Sequence, residues 1–237
     1  MPEDPAQELR ELVVHLQEWL DFQRRLGWRG LPREAEAETG AKPKRVEKAE
    51  AIPTLEEIRA EMGKCERCKL YPGASSLVFG EGSPHARLMF IGEAPGAEED
   101  LQGRPFVGAA GQLLNNLLSK LGLRREEVYI ANVVKSRPPG NRTPEPDEIA
   151  ACLPFLKKQI AAIRPRVIVA LGKVAAQALL DTKTPLTKMR GRWQRYDDIP
   201  VMPTFHPSYL LRFPSERRKT WEDMQQVMEY LAEQERD

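Results

Sequence analysis

Residues 87–96, RLMFIGEAPG, join a short apolar run to a turn that is bounded by two glycines. Such runs, placed beside helical patterns, are typical of buried strands in a parallel sheet. Similar runs occupy residues 128–133 (VYIANV), 166–171 (RVIVAL) and 200–205 (PVMPTF), and helical patterns cover residues 110–121, 147–163, 173–180 and 216–234. This alternation predicts a three-layer α/β/α sandwich around a mainly parallel four-stranded sheet, with function at the carboxyl ends of the strands.

The chain is predicted to have an N-terminal helical appendage. Residues 5–26 carry apolar side chains at helical spacing, whereas the following stretch is rich in Ala, Glu, Lys and Pro. We therefore expect a helix within 1–29, a polar linker over 30–52 and one domain over 53–237. The helix either folds back on the domain or binds a protein partner, and the long linker favours a partner.

Composition narrows the class of protein. With 237 residues and 41% hydrophobic content, the chain can bury the core of one domain. No stretch approaches the ~20 apolar residues of a membrane span, and the acidic start is unlike a secretory signal. We expect a cytoplasmic monomer without membrane contact. The net charge of +1 argues against a wholly basic nucleic-acid coat, but positive charge is in excess after residue 118, which favours phosphate contacts there.

The three cysteines are Cys65, Cys68 and Cys152, and their odd number does not suit a closed disulfide framework. The Cys-x-x-Cys spacing is shared by zinc sites, redox pairs and iron–sulfur sites. A metal or cluster role is therefore favoured, and two structural thiols near a turn remain the alternative.

The segments that follow the strands carry the candidate chemistry. The glycines of 92–96 allow a ligand to approach the backbone, and the acids around Glu93 and Glu99 favour a neutral ligand or a developing cation over phosphates. Phe106 either stacks on a base or plugs the core. The Asn132 amide can read the edge of a base, and His206 can donate to an oxygen that gains negative charge, although a lone histidine is more often structural.

Four motifs in order resemble those of the iron–sulfur uracil-DNA glycosylases, family four of that superfamily. They are GEAPG (92–96), FVG with AG (106–108 and 110–111), NVVK with RPPGNR (132–135 and 137–142) and HPS (206–208). The resemblance runs from about residue 65 to residue 231. It implies a DNA-repair hydrolase that flips uracil out of double- or single-stranded DNA and leaves an abasic site.

The resemblance also implies roles in the pocket. Phe106 stacks on the flipped uracil, Asn132 pairs with its N3–H and O4, and the backbone of Gly92, Glu93 and Ala94 lines the pocket. Glu93 positions or activates water, and His206 stabilises the departing uracil anion at O2. Glu99 is expected to exclude the thymine methyl group.

DNA contacts are expected outside the base pocket. Leu210 and Leu211 suit a wedge that fills the vacated stack while Arg212 holds a phosphate; the alternative is the first turn of a surface helix. Arg137, Arg142 and Ser208 are further candidates for DNA contact.

For the cofactor, the resemblance implies a 4Fe-4S cluster with four cysteine ligands. Cys65, Cys68 and Cys152 supply three, and Ser136 stands where the remaining cysteine is expected. Serine ligates iron poorly, so the cluster is predicted to be labile, serine-ligated or incomplete.

Two other functions compete with the glycosylase. One is a uracil-DNA binding protein without turnover; Glu93 and the RPPGNR segment differ from the residues that the resemblance associates with that branch. The other is a cluster-bearing scaffold that docks a repair or replication partner.

Overall fold

The computed structural model describes residues 52–234 together with Gln17, and the chain divides into two units, residues 1–50 and 51–237. Apart from Gln17, the predicted helix over 5–26 lies outside the described residues, as does nearly all of the predicted linker. The strands of the described part are β1 (Glu81–Gly82), β2 (Leu88–Gly92), β3 (Tyr129–Asn132), β4 (Val167–Leu171), β5 (Gln194–Tyr196) and β6 (Ile199–Thr204). Its α-helices are α1 (Leu55–Met62), α2 (Ala97–Gln102), α3 (Ala109–Lys120), α4 (Pro146–Ile163), α5 (Lys173–Leu180), α6 (Leu186–Met189), α7 (Pro207–Arg212) and α8 (Arg217–Glu233).

The six strands form one sheet in the order β1-β3-β2-β4-β6-β5. The four central strands are mutually parallel, and the two edge strands run antiparallel to their neighbours. The chain therefore leaves β2 toward β3 on one side and returns to β4 on the other. The connections that follow β2 and β4 lead to helices on opposite faces of the sheet, and doubly wound sheets form a crevice at such a switch point.

Two apolar cores cover the two faces of the sheet. Met89 and Ile91 of β2 belong to the core that α4 and α5 cover, whereas Phe90, between them, belongs to the core of α3 and α8. Successive side chains of a strand point to opposite faces, so a strand buried on both faces is apolar throughout. This arrangement confirms the predicted α/β/α sandwich.

The four predicted strands are confirmed as the central parallel strands, but the sheet has six strands rather than four. The two additional strands are β1, with two residues, and β5, with the polar sequence QRY. Short polar strands at an edge carry no apolar run, which is why the hydrophobic pattern did not reveal them.

The first helix of the described part begins at a capping box formed by Thr54 and Glu57. The Thr54 hydroxyl accepts a hydrogen bond from the Glu57 amide at 3.2 Å, and the Glu57 carboxylate accepts one from the Thr54 amide at 2.7 Å. This reciprocal capping box fixes the start of α1, whose Ile58 and Met62 pack with Phe155 of α4. Within the described part of the chain, no helix is both long and apolar enough to cross a membrane.

Candidate active site

A cavity of about 540 Å³ opens at the carboxyl ends of the central strands. It brings together most of the residues that the sequence singled out. Those that line it are Glu93, Ala94, Glu99, Phe106, Asn132, Arg142, His206, Ser208, Leu211 and Arg212. They come from segments more than one hundred residues apart, which meet because parallel strands end at the same edge of the sheet.

Phe106 forms one wall of the cavity in an unusual backbone conformation. Its φ is 51°, in the left-handed region that non-glycine residues avoid at a cost of about 1–3 kcal/mol. The ring is 4% exposed and lies 5.5 Å from the His206 ring, centroid to centroid. A side chain at Gly92 would overlap this ring and Asn132 Oδ1, so the end of β2 requires glycine.

Glu99 ties together the two loops that line the cavity. One carboxylate oxygen accepts from the Gly96 amide at 3.1 Å, and the other accepts from the amides of Val107 and Gly108, both at 2.9 Å. The carboxylate thus provides the hydrogen-bond acceptor for three backbone N–H groups near Phe106. The predicted exclusion of the thymine methyl group stays a prediction.

Asn132, the last residue of β3, is 1% exposed. Among the described residues, its Oδ1 is the one buried side-chain nitrogen or oxygen without a hydrogen-bond partner. An unpaired buried acceptor costs about 1–3 kcal/mol, and folded proteins seldom leave one unpaired without a functional reason. The acceptor lies in the wall of the cavity, so a ligand with an N–H donor would satisfy it.

His206 caps helix α7 through its own imidazole. Nδ1 accepts a hydrogen bond from the Ser208 amide at 3.2 Å, and the Ser208 hydroxyl lies 2.8 Å from the same nitrogen. Burial lowers the pKa of His206 to about 4, with Glu99 opposing and Arg212 adding to this shift. The ring is therefore neutral at pH 7. Because the backbone donor occupies Nδ1, the ring proton resides on Nε2, which is left to donate to a ligand.

Glu93 supplies a carboxylate to the cavity. Burial raises the pKa of Glu93, while a hydrogen bond from Thr143 and the positive charge of Lys173 oppose the rise. Lys173 also lines the cavity, and the sequence analysis did not single it out. A signal was available, because Lys173 begins α5, where a cation opposes the helix macrodipole.

The predicted DNA contacts divide into exposed and anchored residues. Leu211 is 40% exposed at the mouth of the cavity beside Arg212, whereas Leu210 is 4% exposed and lies with Leu113 and Leu117 of α3. Leu210 is too buried to enter the DNA stack, so the two-leucine wedge is reduced to Leu211, whose role as a wedge stays a prediction. Both leucines belong to helix α7.

The two arginines of the RPPGNR segment differ in their surroundings. Arg142 lines the cavity and donates to both oxygens of Glu148, at 2.8 and 2.7 Å. Arg137 donates to Asn141 Oδ1 at 2.7 Å and is not among the residues that line the cavity.

The three cysteines lie apart from this cavity. Cys65 and Cys152 are buried and Cys68 is half-buried. Burial raises the pKa of Cys152 to about 11, and the Cys68 and Cys65 thiols are near enough to raise it further. Ser136 is also buried and lines a separate cavity of about 560 Å³. Within residues 52–234, no three His, Cys, Asp or Glu side chains are arranged to hold a single metal ion.

Comparison with known proteins agrees with this geometry. A family model described as the uracil DNA glycosylase superfamily matches residues 79–232. A type-4 uracil-DNA glycosylase of Thermotoga maritima is 48% identical over 76% of this chain and 96% of its own length. Those of Sulfurisphaera tokodaii and Saccharolobus solfataricus are 44% and 45% identical, over 75% and 76% of this chain and 85% and 88% of their own lengths.

Proposed function

Because the chain belongs to the uracil DNA glycosylase superfamily, we propose that it flips uracil out of DNA and hydrolyses the N-glycosidic bond, leaving an abasic site. The activity is that of a DNA-repair hydrolase. The type-4 enzymes that resemble this chain match about three quarters of it, which supports the same substrate here.

The unpaired Oδ1 of Asn132 is the observation that carries this proposal. Uracil presents an N3–H donor next to the O4 acceptor, and a side-chain amide can accept from the first and donate to the second. Cytosine presents an acceptor and an amino donor instead, which leaves each atom of the amide opposed by a like partner. The buried acceptor thus selects uracil through the cost of leaving it unpaired.

Cleavage of the glycosidic bond moves negative charge onto the base. The neutral His206 ring, with its proton on Nε2, donates to O2 of the departing uracil and stabilises the anion. Because the ring is neutral, it does not itself repel the positive charge that develops on the sugar.

The other half of the charge falls on the sugar carbon. Glu93 lies in the same cavity, where its carboxylate stabilises the developing cation and orients the attacking water. Thr143 and Lys173 oppose the effect of burial and thereby favour the ionised form of Glu93. No nucleophilic side chain is required, because water itself attacks the cation.

Base flipping requires contacts at the mouth of the cavity. Extruding a nucleotide costs a few kcal/mol and is easiest at a mispaired base. Leu211 is exposed where the vacated stack would lie, and Arg212 beside it suits a phosphate. Phe106 then provides the face on which the extruded base stacks.

We further propose that Cys65, Cys68 and Cys152 hold a 4Fe-4S cluster, with Ser136 at the fourth corner. Lys135 supports this donor set: it is fully buried, and within the described part of the chain its Nζ donates to two neutral oxygens, Asn132 O at 2.9 Å and Gln159 Oε1 at 2.6 Å. Burial lowers the pKa of Lys135 to about 7, and the nearby Cys152 and Cys65 oppose this shift; as iron-bound thiolates they would supply negative charge that favours the ammonium form. Each thiolate of a cluster binds a different iron atom, so the ligands need not converge as around one ion. The cluster would staple α1 to α4 and take no part in cleavage.

An excision assay tests the function. The wild-type protein is incubated with end-labelled oligonucleotides that contain U·G, U·A or single-stranded uracil, and abasic sites are cleaved with alkali. Strand breaks at uracil, and none at thymine in a matched oligonucleotide, are expected. Retention of uracil-DNA without strand breaks would indicate a binding protein without turnover, and neither binding nor breaks would indicate a scaffold.

A further inference from the structure

The conformation of Phe106 requires an explanation beyond the pocket itself. Its left-handed φ is unfavourable for a phenylalanine, so surrounding contacts must hold it. The groups that fix the peptide units on either side of Phe106 therefore control the pocket.

Two side chains form hydrogen bonds to the backbone of this turn. Glu99 accepts from the two amides that follow Phe106. Arg125 donates from Nη1 to the Phe106 carbonyl at 3.2 Å and from Nη2 to the Pro105 carbonyl. Gly111 of α3 packs so closely against the turn that a side chain at position 111 would overlap the Phe106 carbonyl.

Arg125 is itself held in place. Its Nε donates to Glu81 Oε1 at 3.0 Å, and Nη1 also donates to Asn115 Oδ1 of α3 at 3.1 Å. The Arg125 side chain is only 14% exposed and is not among the residues that line the cavity. Arg104 binds the same Glu81 through two bonds of 2.7 Å but makes no hydrogen bond to the Phe106 turn.

We infer that Arg125 is a positioning residue, which holds Phe106 in the left-handed conformation that presents its ring to the base. The value of the ring as a stacking face rests on the proposed function. Arg125 touches neither DNA nor water in the reaction and acts only through the turn.

The shape of the guanidinium explains why arginine is needed. Its planar fork reaches two consecutive carbonyls, an amide oxygen and a carboxylate at once, whereas a lysine ammonium is a single point of charge. Arg125→Lys therefore keeps the charge and most of the side-chain volume while removing the simultaneous hydrogen bonds.

A double-mutant cycle tests the inference. Arg125→Lys is measured in the wild-type and in the Phe106→Ala background, by single-turnover excision of U·G duplex. We expect a loss of about 10- to 100-fold in the wild-type background, as for a misaligned group, and less than about twofold without the ring. Arg104→Lys, the matched control on the same carboxylate, should change the rate less than about twofold in either background.

Equal losses in the two backgrounds would overturn the inference, because Arg125 would then act by another route. A crystal structure of Arg125→Lys gives a readout independent of activity: Phe106 should leave the left-handed region or its ring should turn from the cavity, and an unchanged Phe106 overturns the inference. If the wild-type protein excises no uracil, the proposed function fails while this structure still decides the role of Arg125. Should Arg125→Lys not fold, Asn115→Ala, which removes only one acceptor of Arg125, is tested by the same cycle and crystal structure.

Discussion

Removing the His206 imidazole should slow the chemical step without releasing the DNA. In the structure, the ring is 5.5 Å from Phe106, centroid to centroid, and its Nδ1 is occupied by the Ser208 amide. His206→Ala therefore removes one Nε2 donor from the cavity. Loss of one donor to a developing anion lowers a rate by a factor of about 10² to 10³, which corresponds to about 2.7–4 kcal/mol.

Rate and affinity need separate measurements. Single-turnover excision of a U·G duplex, with enzyme in excess, reports the chemical step, and fluorescence anisotropy with an abasic duplex reports DNA binding. The expected outcome is the full loss in rate with a change of less than about threefold in affinity, since the removed donor acts on the departing base. His85→Ala, which changes an exposed histidine that is not among the residues that line the cavity, is the control and should change neither quantity.

Parallel losses of rate and affinity would refute the reasoning, because they indicate a histidine that holds a phosphate or the fold. The pH profile gives a second check. With a pKa of about 4, His206 is already neutral above pH 5, so its titration should leave no inflection in the rate between pH 5.5 and 8. A rate that falls as the pH rises through about 6.5, and that no longer does so in His206→Ala, would show that the imidazolium is the acting form.

Four further outcomes are expected. Phe106→Ala should weaken excision through lost stacking, worth ~1–3 kcal/mol per base, and should lower the melting temperature without unfolding the domain, because the removed ring also packs in the core. A wild-type single-turnover rate would make Phe106 a core residue only. Asn132→Asp places an acceptor against uracil O4, so single-turnover excision of uracil should collapse while cytosine suffers less, and undiminished uracil excision would remove Asn132 from base recognition. Ser136→Cys should raise the iron content per chain and slow the bleaching of the cluster colour in air, with little change in the excision rate. If the purified wild-type protein contains zinc or no metal, and the iron content of Ser136→Cys is unchanged, the cluster proposal is refuted while the glycosylase proposal stands. The folded pKa of His206, about 4, lies below the unfolded value of about 6.5, so the stability that its neutral form contributes is present above pH 6.5 and is lost as the pH falls to 4. The melting temperature of His206→Gln should therefore fall less steeply than that of the wild type between pH 6.5 and 4. Equal slopes in the two proteins would contradict burial of a neutral ring.

The parts of the fold that the sequence predicted are those with long apolar patterns. The four central strands are buried on both faces, so nearly every residue from Leu88 to Ile91, for example, had to be apolar. The edge strands face solvent and are too short to show a recognisable pattern of apolar residues. Their pairing depends on residues that are distant in the sequence: in β1, Glu81 pairs opposite Ile130, which lies 49 residues later.

The sequence predicted those site residues whose position follows from the order and direction of the strands alone. Asn132 and His206 follow different strands, and a parallel sheet brings the ends of those strands together whatever the side chains are. The distinction between Leu210 and Leu211 could not be predicted in this way. Adjacent residues of a helix point about 100° apart, and which of the two faces the domain depends on how α7 docks against α3.

Two local rules are broken at the same cavity: Asn132 leaves a buried acceptor unpaired, and Phe106 adopts a left-handed backbone. Each is unfavourable in the free protein, and natural sequences concentrate such exceptions at functional sites. The compensating contacts lie elsewhere in sequence, since Glu99 and Arg125 are seven residues before and 19 residues after Phe106. A motif therefore identifies side chains that line the cavity but can miss a residue that holds one of them through the backbone. Arg125 lies in no motif and is not among the residues that line the cavity, yet without its hydrogen bonds we expect the turn to relax and the stacking face to be lost.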